Sequence, residues 1–481
     1  MAFGTGGNDD MLDRDMQRII EYRYSPEALV QINGDLDRRI ACDDRIYAVI
    51  DDDPTGGQTV HDVEVLTSWD EKHILDSVKS VGRMFFIMTN SRSMTTQETG
   101  RIHREIMQNL AEASAKTGRA YEVISRSDST LRGHYPLEAD LIAQAFGNAK
   151  HILIPFFPEG GRYTIGDIHY LMQESCLIPV GISEFSRDKT FGYRASDLKQ
   201  WIEEKTKGRI LSEQVGSVTL EMLRAMDYQA ISRVLRGKET HIVVNATCYD
   251  DLRVFAIAYL DAIAAGEHFV MRTAAAWPKV IGGISDSKLL DCKDMCSLSS
   301  QQGGLIVVGS HVQKTTAQFE ELRQALPRIA YIEFNQHLAL NAHDLWEETR
   351  RVCREASEQI RRGRTCAVYT RRERIDWNMG SGEDELIITR RISKAVTDIV
   401  RELEVVPRFI LAKGGITSSD IAVHALKTER AMILGQIAPG VPVWKLGEES
   451  KYPGMPYIIF PGNVGDTYTL RDIVIQLERK E

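Results

Sequence analysis

Residues 46–57 read IYAVIDDDPTGG, a short apolar run that ends in three acidic residues and two glycines. The run predicts a buried β-strand, and the polar turn after it predicts a loop at the carboxyl end of that strand. Similar runs follow along the chain: MFFIM before TNSRS, YEVI before SRSDSTLRG, and ILIPFF before PEGGR. Helical stretches such as 96–117 and 137–146 separate them. This repetition predicts an α/β domain with a mainly parallel sheet.

The same pattern restarts in the second half of the chain, where strand-like runs again end in small polar residues. These runs include LIVVGSH at 305–311 and FILAKGG at 409–415. The polar stretch 286–303 ends in two glycines and is predicted to be a linker. The predicted fold class is α/β, with two domains of mainly parallel sheets facing a central cleft. Their bounds are a helical leader over 1–44, a first domain over 45–285 and a second over 304–481.

Composition excludes several functional classes. Of 481 residues, 43% are hydrophobic and 26% are charged, as in ordinary globular proteins. The formal net charge of -9 argues against a general affinity for nucleic acid. No run of about 18 apolar residues is present, and the amino terminus does not resemble a signal peptide. We therefore expect a cytoplasmic protein without a membrane span, and the odd number of cysteines fits a reducing compartment.

Three polar turns of the first half have the residue types of a binding site. Carboxylates such as Asp51, Asp52 and Asp53 suit sugar hydroxyls, Mg²⁺ or the proton of an attacking alcohol. Arg92 in TNSRS can hold a carboxylate through two parallel hydrogen bonds, and the turn 125–133 adds short hydroxyl side chains. Each turn alone also fits a solvated turn or a helix cap. Together they predict a pocket for a small polyhydroxy carboxylate.

The turns of the second half resemble anion-binding loops. Ser310 follows one strand, 414–417 follows another, and 461–466 is a third glycine-rich turn. Paired glycines let the backbone approach a phosphate, and a helix amino terminus offers free N–H groups. An ordinary strand–helix connection also fits each turn, and the common nucleotide signatures are absent. The basic cluster 371–374 is predicted to lie on a solvated loop, and the histidines show no metal-ligand spacing.

Several of these motifs, in this order, resemble the four-carbon acid sugar kinase family, formerly the domain of unknown function DUF1537. DDPTG at 52–56, TNSRS, SDSTLRG and PFFPEGGRYTIGDIHY at 155–170 are similar to its substrate half. GSH, KGGIT, IAPGVP and FPGNVG are similar to its nucleotide-binding half. The resemblance implies an ATP- and Mg²⁺-dependent kinase that phosphorylates a hydroxyl of a short sugar acid, such as threonate, erythronate or 3-oxo-tetronate. It also implies a sugar-acid domain followed by an ATP-binding domain, and a homodimer.

The resemblance also implies the roles of individual residues. The acid would be held by Asp52, Asp53, Arg92, Ser127, Asp128, Ser129, Thr130 and Arg162. ATP would be held by Ser310, Gly414, Gly415, Ile416, Thr417 and Gly462. Arg92 would clamp the substrate carboxylate, Asp52 or Asp53 would orient or deprotonate the attacking hydroxyl, and Asp128 is the alternative base. The residues that would bind Mg²⁺ are not assigned.

Two other classes of function remain as alternatives. A non-catalytic regulator could keep the same two-lobe fold and close on a sugar acid without changing it. A dehydrogenase or aldolase is disfavoured, because the first strand ends in DDDPTGG rather than in a dinucleotide fingerprint. Release of ADP in the presence of an acid distinguishes the kinase from the regulator.

Overall fold

The computed structural model describes residues 16–147, 149–173, 176–295, 301–373, 382–462 and 464–479. It divides into two compact units. The first contains the chain up to Gly56 together with Trp69–Ser285, and the second contains Gly57–Ser68 together with the chain from Asp286 onward. The segment Gly57–Ser68 therefore leaves the sequence-contiguous first half and packs within the second unit.

The strands of the described residues are numbered in chain order. They are β1 (Ile46–Asp51), β2 (Val63–Leu66), β3 (Met84–Met88), β4 (Tyr121–Arg126), β5 (Lys150–Ile154), β6 (Arg162–Ile165), β7 (Ile168–Gln173), β8 (Cys176–Pro179), β9 (Val215–Val218), β10 (His241–Val244), β11 (Phe269–Thr273), β12 (Leu305–Val308), β13 (Ala330–Phe334), β14 (Cys366–Thr370), β15 (Ile410–Lys413), β16 (Arg430–Ala438), β17 (Val441–Leu446) and β18 (Pro456–Phe460).

The α-helices of the described residues connect these strands. Those of the first unit are Pro26–Cys42, Glu71–Ser80, Thr96–Thr117, Leu137–Ala145, Leu198–Lys205, Leu220–Arg224, Tyr228–Leu235, Tyr249–Ala264 and Ala276–Ile281. Those of the second are Cys292–Met295, Gln313–Ala325, Ala342–Arg361, Gly382–Arg401, Gly415–Asp420 and Thr469–Glu478. Local sequence explains many of their ends: Thr95 and Glu98 form a capping box, and Gly118 ends the same helix in a left-handed conformation.

The first unit is built on a parallel sheet with the strand order β3-β1-β4-β11-β5-β10-β9. Strand β1, between β3 and β4, is buried at every position, which explains its continuous apolar sequence. Its register places Ala48 beside Phe85 of β3 and Val123 of β4. A separate antiparallel sheet is formed by β6, β7 and β8.

The second unit has five neighbouring parallel strands, in the order β13-β14-β12-β15-β18. Beyond β18 the sheet continues with β17, β16 and β2, and each of these is antiparallel to its neighbour. The α/β class and the mainly parallel sheets of the prediction are confirmed. None of the helices in the described part of the chain is both long and apolar enough to cross a bilayer.

The predicted leader and linker lie partly outside the described residues, at 1–15 and 296–300. The described part of the leader forms helix Pro26–Cys42, which begins at the capping residue Ser25. Arg39 of this helix forms an ion pair with Asp261, at 2.7 Å. The leader is therefore a part of the first unit.

Candidate functional site

The three polar turns of the first half meet at the carboxyl edge of one parallel sheet. Main-chain hydrogen bonds join them: the N–H of Thr89 donates to Asp51 O at 2.9 Å, and that of Asp52 donates to Arg126 O at 3.2 Å. The N–H of Ser127 likewise donates to Thr273 O, at 2.8 Å. Ligand sites of open α/β sheets lie at this edge.

Arg92 connects the predicted acidic residues. Its guanidinium forms ion pairs with Asp52 (Nε to Oδ2, 3.2 Å) and with Asp53, and its Nη1 lies 3.7 Å from Asp128 Oδ1. Although burial lowers the pKa of Arg92, the charges of these carboxylates outweigh it and raise that pKa. Four predicted site residues therefore form one cluster, and Arg92 is already neutralised within the protein.

Two of the carboxylates are held in the ionised state. Burial would raise the pKa of Asp53, but Arg92 and Arg126 lower it overall, and the Thr55 hydroxyl donates to its Oδ1 at 2.5 Å. Asp128 accepts a hydrogen bond from Arg132 Nε at 2.6 Å, and despite burial its pKa lies well below the usual range. Asp53 keeps 21% of its side chain exposed, so it is an ionised carboxylate that a ligand can reach.

The other two carboxylates of the acidic turn have raised pKa values. Burial raises the pKa of Asp51 to about 6, although Arg126 Nη1 lies 3.0 Å from its Oδ1. Burial also raises the pKa of Asp52 to about 8, against the opposing charges of Arg92 and Arg126. Both oxygens of Asp52 are buried, and neither has a hydrogen-bond partner among the described residues. Burial thus favours the protonated form of the Asp52 carboxyl group, and the two arginines oppose it.

A buried polar layer lies behind Asp52. A Cβ built on Gly133 would lie 3.3 Å from Asp52 Oδ2, 3.7 Å from Arg272 Nη2 and 3.9 Å from Glu138 Oε2. Glu138 also accepts a hydrogen bond from the Ser91 hydroxyl, at 2.6 Å. Gly133 has a φ of 127°, a conformation that other residues rarely adopt. A glycine is therefore required where the turn 125–133 passes these charged groups.

Arg162 differs from the other arginines of this region. Its guanidinium lies 5.9 Å from the ring centroid of Phe185, and Arg132 lies 5.0 Å from the same ring. Nε of Arg162 is buried without a hydrogen-bond partner, and no carboxylate of a described residue lies within ion-pair distance. Burial lowers its pKa, which indicates a cation without enough neighbouring negative charge.

The predicted hydroxyl residues serve the shape of the turn. The Thr130 hydroxyl donates to Asp128, and the Thr130 carbonyl accepts from Tyr193 Oη at 2.6 Å. The Ser129 carbonyl lies 2.8 Å from His169 Nε2, and the Ser127 hydroxyl lies 3.4 Å from that of Ser125. All three predicted residues are buried, and the Thr130 hydroxyl helps to hold Asp128 in place.

In the second unit, the predicted anion-binding loops converge at the carboxyl ends of β12, β15 and β18. A Cβ built on Gly309 would lie 2.3 Å from Thr417 Oγ1, and one on Gly414 would lie 3.1 Å from Ser310 Cβ. One on Gly462 would lie 3.2 Å from Ser310 Oγ. Only glycines allow the three loops to approach this closely. Four of the predicted ATP-binding residues are thus brought together.

The other two predicted ATP-binding residues start the helix after β15. Gly415 is the first residue of Gly415–Asp420, which continues as a π-helical turn over Ile421–Ala425. Gly414 precedes it with a φ of 122°. Ile416 is 59% exposed, next to the converging loops. This exposed apolar side chain is available to contact a ligand.

Lys413 lies beneath these loops, fully buried at the end of β15. Its Nζ donates to Pro461 O at 2.5 Å, and it lies 3.7 Å from the ring centroid of Phe460. Burial, with a smaller effect of Lys314, lowers the pKa of Lys413 to about 6. Lys413 therefore fixes the β18 loop against β15 largely as a neutral amine.

Sequence reasoning assigned no role to several charged residues of the cluster in the first unit. Arg126, Arg132 and Glu138 lie within or beside the predicted turn 125–133, and their positions at a strand end were the available signal. Arg272 ends β11 in the same way. Metal-ligating side chains do not cluster in threes anywhere in the described residues.

Comparisons with known proteins agree with this division. A model for a sugar-binding N-terminal domain matches residues 47–280, and one for a nucleotide-binding C-terminal domain matches residues 305–470. No curated protein matches the chain.

Solved structures share the fold. One is a Haemophilus influenzae protein that matches the DUF1537 family model and is 16% identical to this chain. The match covers 89% of this chain and 100% of the Haemophilus chain, with a TM-score of 0.59. A Salmonella typhimurium LT2 protein described as a candidate tRNA synthase is 17% identical, with 90% and 98% covered and a TM-score of 0.63. The two domain models, matching in the order that the motifs predict, show that this chain belongs to the four-carbon acid sugar kinase family.

Proposed function

We propose that the protein transfers the γ-phosphoryl group of ATP to a hydroxyl group of a short sugar acid, such as threonate, erythronate or 3-oxo-tetronate. The observation that carries the proposal is the pairing of two sites in one chain. A nucleotide-binding domain has three loops meeting at Ser310, and a sugar-binding domain has a cluster of carboxylates and arginines. A cytoplasmic location and a homodimer remain predictions.

Asp53 is the proposed partner of the attacking hydroxyl. It is ionised and partly exposed, whereas Asp52 is buried and has a raised pKa. In phosphoryl transfer the main contribution of the protein is positioning and charge stabilisation, so a carboxylate of ordinary basicity can orient the alcohol and accept its proton. Asp128 is bound by Arg132 and Thr130, which supports a structural role for it.

Arg162 is the proposed partner of the substrate carboxylate, instead of Arg92. Arg92 already has three carboxylates around it, whereas Arg162 has none within ion-pair distance among the described residues. A buried guanidinium without a counter-charge gains most from an anionic ligand. This assignment gives the substrate a carboxylate contact outside the acidic cluster.

Ser310, Gly414–Thr417 and Gly462 are proposed to bind the phosphates of ATP through main-chain N–H groups and hydroxyls. Mg²⁺ would neutralise the charge of the phosphates when bound to them, and it usually keeps several waters and needs only one or two carboxylates. The carboxylates and hydroxyls present suit such an ion, and no described cluster of three ligands assigns its position.

The test is ADP release by the purified protein with Mg·ATP and a panel of three- to six-carbon sugar acids and their oxo forms. Acid-dependent ADP release, with a phosphorylated acid detected by mass spectrometry, is the expected result. Asp53→Asn should reduce turnover strongly, while the Arg187→Met change of an exposed arginine should not. Acid binding without ADP release for every acid would instead support a non-catalytic regulator.

A further inference from the structure

The strand β14 ends beside the phosphate loops but has no assigned role. The order β14-β12-β15-β18 places four parallel strands side by side, and the loops proposed to bind ATP follow the last three. Arg371 and Arg372 follow β14 at the same edge of the sheet. Of the predicted solvated loop at 371–374, Arg371 and Arg372 are partly buried and Glu373 is exposed, while 374 lies outside the described residues.

Arg372 is a partly buried cation, and two of its guanidinium nitrogens are buried without a counter-charge. Its Nη2 donates to Thr316 Oγ1 at 2.6 Å, but its Nε and Nη1 are buried without a hydrogen-bond partner. No carboxylate of a described residue lies within ion-pair distance of it. Burial lowers its pKa. Leaving guanidinium donors buried and unpaired is unfavourable, so such a group is prepared for an anion.

The neighbouring Arg371 shows the contrast. Its Nε lies 2.9 Å from Glu333 Oε1, and its side chain is 39% exposed. Arg371 and Glu333 therefore form an ordinary surface ion pair, which contributes little to stability or binding. The two adjacent arginines differ in whether the protein supplies a negative partner.

Contacts connect Arg372 to the phosphate loops. Thr316, its hydrogen-bond partner, lies in the first turn of helix Gln313–Ala325, which starts just after Ser310. In the same turn, the Thr315 hydroxyl donates to Gly462 O at 2.9 Å and lies 3.3 Å from Ser310 Oγ. Arg372 is thus connected, through the first turn of this helix, to the loops at Ser310 and Gly462.

We propose that Arg372 binds a phosphate group of the nucleotide through Nε and Nη1. This inference rests on the proposed function, since it names a further contact within the ATP site. A guanidinium presents two parallel donors that match two phosphate oxygens, and its Thr316 contact fixes the direction in which they point. Arg372 then supplies a positive charge that the buried Lys413 does not supply at neutral pH.

The experiment compares Arg372→Met with the matched control Arg371→Met. Binding of Mg·ATP, Mg·ADP and AMP is measured by calorimetry, and melting temperatures are measured without ligand. Arg372→Met should weaken Mg·ATP binding about tenfold to a hundredfold, because it removes a charged hydrogen-bonded contact. The affinity for AMP should fall less than that for Mg·ATP if Arg372 contacts an outer phosphate. Arg371→Met should leave every affinity within about threefold of the wild type.

The melting temperature separates binding from structural roles. Replacing a partly buried cation that has no counter-charge by an apolar side chain should leave the unliganded protein as stable as the wild type, or more stable. Arg372→Lys, which keeps the charge but loses the fork, should bind with intermediate affinity.

Equal affinity of Arg372→Met and wild type for Mg·ATP would overturn the inference and leave the kinase proposal intact. A large fall in the melting temperature of Arg372→Met, together with an equal loss of Mg·ATP affinity in both methionine variants, would assign Arg372 a structural role instead. If the wild type bound no nucleotide, the kinase proposal would fail. Binding of tripolyphosphate would then test whether Arg372 binds anions, independently of the kinase proposal. Loss of that binding in Arg372→Met but not in Arg371→Met would uphold an anion site.

Discussion

Neutralising either of two carboxylates in the same cluster should change the stability of the protein, and the two changes should have opposite signs. Asp52→Asn removes a carboxyl group whose pKa is raised from 3.8 to about 8 by burial. Asp128→Asn removes one whose pKa is lowered, because Arg132, Arg92 and Thr130 outweigh the effect of its burial. Both side chains are small, both are nearly inaccessible, and both substitutions preserve shape. The difference between them is therefore electrostatic.

The size of the effect follows from linkage. A carboxyl group with a raised pKa binds its proton in the folded state and releases it on unfolding, so it lowers stability as pH rises from about 4 to about 8. At pH 7 the gap between 3.8 and 7 is about 3 units, and at 1.36 kcal/mol per unit the ceiling is about 4 kcal/mol. The asparagine amide also faces Arg92 and Arg126, so we expect Asp52→Asn to stabilise the protein by about 1–3 kcal/mol at pH 8. The gain should nearly vanish at pH 4.

The contribution of Asp128 to stability has the opposite sign. A lowered pKa contributes stability that is fully present above the unfolded value of 3.8 and is lost as pH falls below it. Removing this charge leaves Arg132 with only the longer contact to Asp188, at 3.9 Å, and breaking a buried ion pair typically costs about 3–5 kcal/mol. Asp128→Asn should therefore destabilise the protein equally at pH 6 and pH 8.

The assay is urea unfolding of wild type and both variants at pH 5, 6 and 8. Hydrogen exchange of peptides covering β1 and β4 provides a readout local to the first unit, because a chain with two units need not unfold in one step. Equal destabilisation by the two variants at pH 8 would refute the reasoning. A stability difference between wild type and Asp52→Asn that did not change between pH 5 and pH 8 would refute it as well.

Three further predictions test the rest of the structure. Arg162→Met should raise the KM for the sugar acid about tenfold to a hundredfold and leave the KM for ATP unchanged, with Arg187→Met as the control in steady-state assays. Gly309→Ala places a Cβ 2.3 Å from Thr417 Oγ1, so it should raise the KM for ATP at least about tenfold without changing acid affinity in calorimetry. A fragment 286–481 lacks β2 and should unfold at lower urea concentration than the same fragment with 57–68 fused to its amino terminus by a Gly/Ser linker. A fusion in which Val63 and Val65 are replaced by Asp should not restore stability, and rescue by it would contradict the role of strand pairing.

The α/β class was predictable because the strands of parallel sheets are buried on both faces and so have continuous apolar sequences. The runs that became β1, β3 and β4 are of this kind, and their carboxyl ends had to meet at one edge. The grouping of Asp52, Asp53 and Arg92 follows from that geometry. The convergence of Ser310 with Gly414 follows from the same rule in the second unit.

Other features depend on contacts that are distant in sequence. The short segment VEVL shows no sign of its partner β16, which lies more than three hundred residues further along the chain. In the sequence alone, the basic cluster after β14 looks like a solvated loop. The partial burial of Arg372 depends on its contact with the neighbouring helix, which the local sequence does not show. The pKa shifts of Asp52 and Asp128 likewise depend on which arginines the fold brings near each of them. Local sequence encodes none of these distances.

The pairing of β2 with β16 has a consequence for synthesis on the ribosome. Val63 leaves the ribosome long before Ile433, its register partner, and at about 5–20 residues per second the delay is roughly 20–70 s. Throughout that interval the first unit can fold, while β2 still lacks β16, its partner within the second unit. The nucleotide-binding half is therefore completed only after nearly the whole chain has emerged, and truncated products expose the edge of β2 that β16 would cover, which quality-control proteases and chaperones can recognise.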